Sequence, residues 1–382
     1  MTPWDGQIAL PTGMVEASAM SENPVRPYLG ARPFGQLERD LFFGRKDEAA
    51  KIARYWLDNR LVFVVGQTGC GKTSLINAGV LPLLAHDKAV VLPVGRLSYG
   101  ASAPSAALPS HNPYTLGLLR SWVPGETSTR LAGSTIRQYV EQWQGDRTVL
   151  AAIDPADELL ADTGARRLQR QRFLQELGQA LHSAPRLHLL IVGREEVVSL
   201  LTETLGGGMR YDVPLLTWQG AVEAVSQPAA LAGRPYADGA AERLVTDLAA
   251  IRRIRDDGTE HFDAGEYIHP VALQVVCDRV WRELPPGTDV ITPQDISRYG
   301  DVDFALAAHF SELVAEVAEE HGLSASRLRA WLTREFVTER GTRGIAYEGV
   351  SATAGVPNAV VRTLEDRHLL AARSQSARTL RP

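Results

Sequence analysis

Residues Gly66–Gln67–Thr68–Gly69–Cys70–Gly71–Lys72–Thr73, followed by Ser74, fit the spacing G-x-x-x-x-G-K-S/T in full. Glycines so placed let consecutive backbone N–H groups turn inward around phosphate oxygens. A helix that begins at the lysine adds the partial positive charge of its N-terminus. In such a loop Lys72 reaches the β- and γ-phosphates of a nucleotide, and the Thr73 hydroxyl ligates Mg2+. The lysine is informative because lysine is scarce: the chain has 36 arginines and only Lys46, Lys51, Lys72 and Lys88. A site that needs a compact ammonium rather than a planar guanidinium explains the choice. Cys70 reads as a small spacer, although a thiol at a helix N-terminus is also placed to have a lowered pKa and to react with electrophiles.

A phosphate loop needs a partner that holds the metal, and the stretch VLAAIDPADELL supplies one. Asp154 ends an apolar run, where a carboxylate can reach Mg2+, usually through water. Asp157 and Glu158 follow within one turn, and either can polarise an attacking water as a general base. The same acids also suit a helix N-cap cluster. The next apolar run, LHLLIVG, ends at Arg194. That arginine either senses a γ-phosphate or is a surface residue paired with Glu195 or Glu196. In YIHPVALQ, Pro270 suits the first turn of a helix. His269 then stands at the helix start, either directed toward another domain or as a plain helix-start residue.

These residues must be positioned by short buried strands and intervening helices. A helix-compatible segment from Lys46 to about Asn59 precedes a strand at Leu61–Val65, and a helix follows the glycine loop to about Leu84, kinked or ended by Pro82. Further strands are expected at Ala89–Val94, Thr148–Asp154 and Leu187–Gly193, with helices over 114–122, 128–143 and 167–182. The stretch GASAPSAALPS reads as a flexible loop. Apolar strands alternating with helices predict an α/β fold with a parallel sheet covered on both faces, to about Leu216. Beyond it the chain reads as nearly all helical, ending in a small helical unit with one hairpin whose strands are GIAYEG and HLLAAR.

With 382 residues the chain exceeds one ordinary core, so two or three domains are expected. Its 45% hydrophobic and 22% charged residues are ordinary for a soluble globular protein. A net charge of −5 gives the whole chain no bias toward polyanions. The last 59 residues, from Ser324, carry ten arginines against five acids, a local balance of +5. Two cysteines, Cys70 and Cys277, form no CxxC or zinc pattern, as expected of a reduced, cytoplasmic protein. No apolar run approaches the roughly 20 residues needed to cross a bilayer, and the N-terminus lacks the basic start and long apolar core of a signal peptide. Scarce lysine with abundant alanine and arginine suits a GC-rich bacterial genome.

Taken together the motifs resemble the STAND class of signal-transduction P-loop ATPases, in particular the bacterial novel STAND NTPase type, related to NACHT and NB-ARC modules. The stretch FFGRKDE resembles the class's hydrophobic–hydrophobic–Gly-Arg motif near the nucleotide base, matched by Gly44, Arg45 and Glu48, while Lys46 stands where an acid is common. IDPADELL resembles its Walker B, GREEVVSLL its sensor-arginine segment, and EYIHPVALQVVCDRVW its lid helix bearing histidine and proline. GDVDFALAAHFSELV through VVRTLEDRHLL resembles its winged-helix domain. The resemblance covers roughly residues 27–373 and implies a flexible tail over 1–35, a P-loop NTPase domain over 36–217, a helical lid over 218–300 and a truncated winged-helix-like domain over 301–382.

What the resemblance implies about function is a switch that binds and slowly hydrolyses ATP with Mg2+. It implies conformational change, self-association when ATP-bound, and signalling or defence as output through a separate effector or sensor protein. It implies that the nucleotide is held by Gly44, Arg45, the loop Gly66–Ser74, His269 and Pro270, with His269 on the β-phosphate of ADP. ATP rather than GTP follows from the resemblance, since no guanine-reading Asn/Thr-Lys-x-Asp motif is evident. Relatives continue past the final strand, so a chain ending at SARTLRP reads as a bare, truncated or split switch. Two other readings stay open: a winged-helix nucleic-acid binder loaded by ATP, which the +5 segment favours, and a scaffold that binds nucleotide without turnover.

Overall fold

A computed structural model describes residues 26–84, 89–97, 112–123, 133–142, 147–160, 164–254, 260–337 and 351–367, with a few single positions between and after them. A 3-10 helix, Gln36–Leu41, precedes α1 (Lys46–Asp58) and β1 (Leu61–Val65). The helix after the glycine loop starts with Lys72–Ser74, widens to a π-helical stretch over Leu75–Val80 and tightens to a 3-10 turn at Leu81–Leu83; we call the whole α2. Pro82 stands in that last turn, where it has no N–H to bond back to the preceding turn and its ring crowds the carbonyl four residues before it. Next come β2 (Ala89–Val91), α3 (Pro113–Trp122), α4 (Ile136–Glu141) and β3 (Thr148–Ile153). Then follow α5 (Gly164–Ser183), β4 (Leu187–Gly193), α6 (Glu195–Leu205) and β5 (Met209–Asp212).

The five strands form one sheet in the order β2-β3-β4-β1-β5, and every pairing is parallel. Side chains alternate across it. Leu61, Phe63 and Val65 enter one core with Ala151, Ile153, Leu189 and Ile191. Val62 and Val64 enter the other with Leu150, Ala152, Leu190 and Val192. Burial on both faces is why these strands are continuous apolar runs rather than alternating ones. The α/β expectation therefore holds. The expected helix over 128–143 is described mainly as α4, and the expected flexible loop over 100–110 lies outside the described residues.

The second half contains β6 (Leu216–Thr217), α7 (Trp218–Leu231), α8 (Ala240–Ala249), β7 (Ala250–Ile254), β8 (Glu260–Ala264), β9 (Tyr267–Ile268), α9 (Pro270–Glu283) and α10 (Pro293–Tyr299). Two departures from the sequence expectation appear here. The antiparallel hairpin of β7 and β8 interrupts what reads as all helix. Leu216–Thr217, assigned above to the NTPase domain, pairs antiparallel with Tyr267–Ile268 of the helical segment instead. The remaining elements are α11 (Val302–Glu320), α12 (Ala325–Phe336), a hairpin of β10 (Ala352–Thr353) and β11 (Val356–Pro357), and α13 (Asn358–Asp366). The hairpin lies at 352–357, not in GIAYEG, whose described residues are not in a strand, and HLLAAR falls largely outside the described residues. Capping explains several helix starts: Thr217, Thr292 and Asp301 each accept from a backbone N–H of the first turn.

The tail expected over 1–35 is held well before residue 35. Tyr28 and Phe34 are both buried, the first with the core of α7, α8 and α9, the second beside Phe42. An aromatic side chain buried this fully contributes on the order of 1.5–3 kcal/mol, so the pair offsets part of the entropy lost in ordering the segment.

Candidate nucleotide site

The glycine loop joins β1 to α2, and two of its residues require the conformation only glycine adopts freely. Gly69 and Gly71 have φ of +78° and +88°. A side chain at Gly66 would collide with Cys70 Sγ, 2.7 Å from the added carbon. Lys72 curls over this loop: its Nζ donates to the Gly66 carbonyl at 2.8 Å and to the Gln67 carbonyl at 2.9 Å. Gln67 and Thr68 are exposed at the loop tip. Cys70 is buried, and burial pushes its thiol pKa up, although Lys72 and Arg45 oppose the shift. Burial thus works against the alternative of a low-pKa thiol and suits the reading of Cys70 as a small spacer.

Ser74 turns to a different task from the rest of the loop. Its Oγ accepts from the Phe34 N–H at 3.1 Å. Arg45 likewise serves the scaffold. Its guanidinium is 4% exposed and donates to Glu48 Oε1 at 3.0 Å, the Pro214 carbonyl at 2.8 Å and the Cys70 carbonyl at 3.5 Å. It thus ties α1, the P-loop and the chain after β5 together, a positioning role. Gly44 adopts φ +80°, and a Cβ there would lie 2.0 Å from the Gly220 carbonyl oxygen of α7. Reciprocally, a Cβ on Gly220 would lie 2.6 Å from the Gly44 carbonyl oxygen. The motif FFGR therefore meets the helical segment backbone to backbone, a contact that only a pair of glycines permits.

Asp154 follows β3 directly, its backbone N–H donating to the Gly95 carbonyl at 3.0 Å. Its carboxylate is 2% exposed, and neither oxygen has a hydrogen-bond partner of ordinary geometry. Burial raises its pKa from 3.8 to about 6, opposed by the Thr73 hydroxyl, Lys72 and Arg96. A buried carboxylate beside a threonine hydroxyl is a set of oxygen ligands that suits a hard divalent cation. Among the described residues no group of three or more His, Cys, Asp or Glu side chains is arranged for a metal. Thr73 and Asp154 thus fit Mg2+ that keeps waters and phosphate oxygens as its other ligands.

Asp157 and Glu158 open a 3-10 turn, Asp157–Leu160. Here the structure separates two residues that the sequence leaves equivalent. Asp157 Oδ1 accepts from the Arg194 backbone N–H at 2.8 Å and lies 3.5 Å from Arg194 Nε. Glu158 is half-buried beside it. Arg194 stands at the N-cap position of α6 and is paired with Asp157. Glu195 is bound by Arg210, which also holds Asp212. The arginine reaches the site because β4 lies next to β1 in the sheet, and the Gly66 N–H donates to the Gly193 carbonyl at 3.2 Å.

His269 is the exposed N-cap residue of α9, and Pro270 is in its first turn. That helix start sits on the glycine loop. A Cβ at Gly71 would be 3.7 Å from Pro270 Cγ, and one at Gly69 would be 3.4 Å from Val271 Cγ2. The structure therefore brings to one place the P-loop, Asp154, the Asp157–Arg194 pair and the head of α9. Sequence reasoning missed Gly220, Val271 and Pro214; only Gly220, followed through a helix start, carried any local signal.

The sequence profile of the family described as Novel STAND NTPase 1 matches residues 27–379. Curated proteins gave no match. Among solved structures, a Walker-type ATPase of Pyrococcus abyssi is 15% identical, with 90% of this chain and 94% of that one covered at a TM-score of 0.48. The Aeropyrum pernix ORC2 protein, solved in ADPNP–ADP complexes, is 16% identical, with 86% and 87% covered and a TM-score of 0.45. Domain III of the Thermotoga maritima replication initiation protein DnaA is 10% identical, with 69% and 92% covered and a TM-score of 0.39.

Proposed function

Because the chain belongs to the Novel STAND NTPase 1 family, we propose that it is an ATP-operated switch that hydrolyses ATP slowly and self-associates in its triphosphate form. The observation that carries this reading is the seating of Pro270 and Val271 on Gly71 and Gly69. The glycines that cradle phosphates also carry the head of α9, so phosphate occupancy and the position of that helix are competing or cooperating claims on one surface. A ligand can shift a conformational equilibrium only by such a differential contact.

In this mechanism the N–H groups of residues 66–72 and the Lys72 ammonium bind the phosphates, and Thr73 and Asp154 hold Mg2+. Bound Mg2+ neutralises charge developing on the β- and γ-phosphoryl oxygens. Glu158 accepts the proton of the attacking water. Asp157 is engaged with Arg194 and holds that guanidinium at the sheet end, where it senses the γ-phosphate. His269 contacts the β-phosphate of ADP and keeps the lid closed. The NTPase domain spans about 36–217, the lid about 218–300 and a winged-helix-like unit the remainder to 382. The setting is the cytoplasm, with regulation or defence as output through a separate effector or sensor. Among the described residues no helix is long and apolar enough to cross a membrane.

Nucleic-acid binding by the C-terminal unit is the weaker reading. Arg367 is paired with Glu316 at 2.5 Å and Glu320 at 2.9 Å, and Arg334 with Glu335 at 2.7 Å. Such pairing withdraws cations from a phosphate-binding face. The test is light scattering after size exclusion, in ADP and in a non-hydrolysable ATP analogue, with His269→Ala alongside. A larger mass in the analogue than in ADP is expected. His269→Ala is expected to lower ADP affinity more than analogue affinity and to raise the mass in ADP. Equal masses throughout, with equal affinity changes, refute the switch.

A further inference from the structure

The segment that enters from the N-terminal side crosses between the two halves of the nucleotide site. Tyr28 is 1% exposed in the core of α7, α8 and α9. Its ring meets Trp281 edge-on, centroids 6.2 Å apart, and its hydroxyl donates to the Val225 carbonyl. The next residue, Leu29, donates its N–H to Gln274 Oε1 of α9 at 3.1 Å. Phe34, buried against Phe42 with centroids 5.6 Å apart, donates its N–H to Ser74 Oγ of α2 at 3.1 Å.

The two anchor points are not arbitrary positions. Gln274 lies one helical turn beyond the Pro270–Val271 pair that packs on the P-loop glycines. Ser74 directly follows Thr73. The contacts therefore close a ring: P-loop to α9 through Gly71 and Pro270, α9 to the segment through Gln274 and Leu29, and the segment back to α2 through Phe34 and Ser74. The two bonded amides are five positions apart in the chain, so full extension spans at most about 18 Å. A turn closed by the Arg32 N–H on the Leu29 carbonyl, 3.3 Å, with Gly30 at φ +62°, shortens it further. Any withdrawal of α9 must first open that turn and then break an anchor. Neither of the two anchoring hydrogen bonds is between neighbours in the chain, so both report on tertiary arrangement alone.

Building on the reading of the P-loop as a nucleotide site, we propose that residues 28–34 form a strap that clamps α9 to the P-loop helix and transmits the state of one to the other. Tyr28 and Gln274 are then positioning residues: neither touches nucleotide, and both act by keeping the head of α9 on Gly69 and Gly71. Each end of the strap is held by one buried aromatic ring and one hydrogen bond, Tyr28 with Leu29 on the lid side and Phe34 on the P-loop side.

Hydrogen–deuterium exchange on the full chain tests this without nucleotide. Gln274→Ala removes the acceptor for Leu29 and is expected to speed exchange at the remote Phe34 amide about three- to tenfold, the range a hydrogen bond's net worth allows. Gln274→Glu keeps an acceptor oxygen and should restore exchange to near the parent rate, which separates the strap from general damage to α9. Acceleration confined to Leu29, with Phe34 unchanged, overturns the proposal. In a second arm ADP is added to the parent protein. Slower exchange over 66–74 accompanied by slower exchange at Leu29 and Phe34 supports the strap. Slower exchange over 66–74 with 28–34 unchanged overturns the strap and leaves the nucleotide reading standing. No slowing at 66–74 overturns the nucleotide reading, and the Gln274→Ala comparison then still decides the strap.

Discussion

The two sides of the nucleotide site hold their charges in opposite ways. On the P-loop side, the Lys72 ammonium is bonded to two carbonyls five and six residues behind it, so its charge has local partners. On the strand side, Asp154 is more deeply buried, and its oxygens have no hydrogen bond of ordinary geometry. The lysine's partners come with the loop itself. The carboxylate is opposed only by the Thr73 hydroxyl and by the charges of Lys72 and Arg96, which do not offset its burial. A site built this way is organised before ligand arrives on one side and held at a cost on the other, and burial of an incompletely paired charge is the cost.

This contrast can be broken most severely through turnover. Glu158→Gln should keep nucleotide bound but slow hydrolysis by about 10²–10⁴-fold, because an amide cannot accept the water proton. Single-turnover phosphate release measures it; a parent-like rate would move the role to Asp157 or to no side chain. The next effect is on binding. Lys72→Ala removes charge-assisted phosphate contacts worth about 1.5–3 kcal/mol, so triphosphate affinity should fall roughly tenfold to 150-fold by isothermal titration. Unchanged affinity would reject the P-loop as the phosphate site.

A subtler test sharpens the other side. The folded-state pKa of Asp154 is raised from 3.8 to about 6, so the native protein takes up this proton more readily than the unfolded chain does. Ionising Asp154 therefore costs stability above pH 6, and the cost fades as pH falls toward 4. Asp154→Asn should then stabilise the nucleotide- and Mg2+-free protein at pH 7.5 by up to about 3 kcal/mol, and by less at pH 5. Denaturant unfolding of both proteins at the two pH values measures it, and an equal difference at both would exclude the buried charge as the cause. The smallest effect concerns Cys70. Its raised pKa and burial predict negligible alkylation by iodoacetamide in native protein at pH 7, with labelling only on unfolding. Fast native labelling would show that the P-loop opens to solvent.

The chain's own order determined the parts whose partners are neighbours in sequence. The loop from Gly66 to Thr73 was legible because its glycines, lysine and hydroxyl act through a few consecutive residues, and β1, β3 and β4 because burial on both faces demands unbroken apolar runs. The Pro270 helix start was legible for the same local reason. Tertiary structure alone decided that Asp157 meets Arg194, 37 residues away. It decided that Arg45 serves as a rivet to Pro214, 169 residues away, and that Gly44 exists for Gly220. It also turned Ser74 toward Phe34 and drew Tyr28 out of an expected tail into a distant core. The physical reason is that hydrogen bonding and close packing act on distance in space. Sheet order sets that distance here by placing β4 between β1 and β3, and no local pattern of residues encodes it.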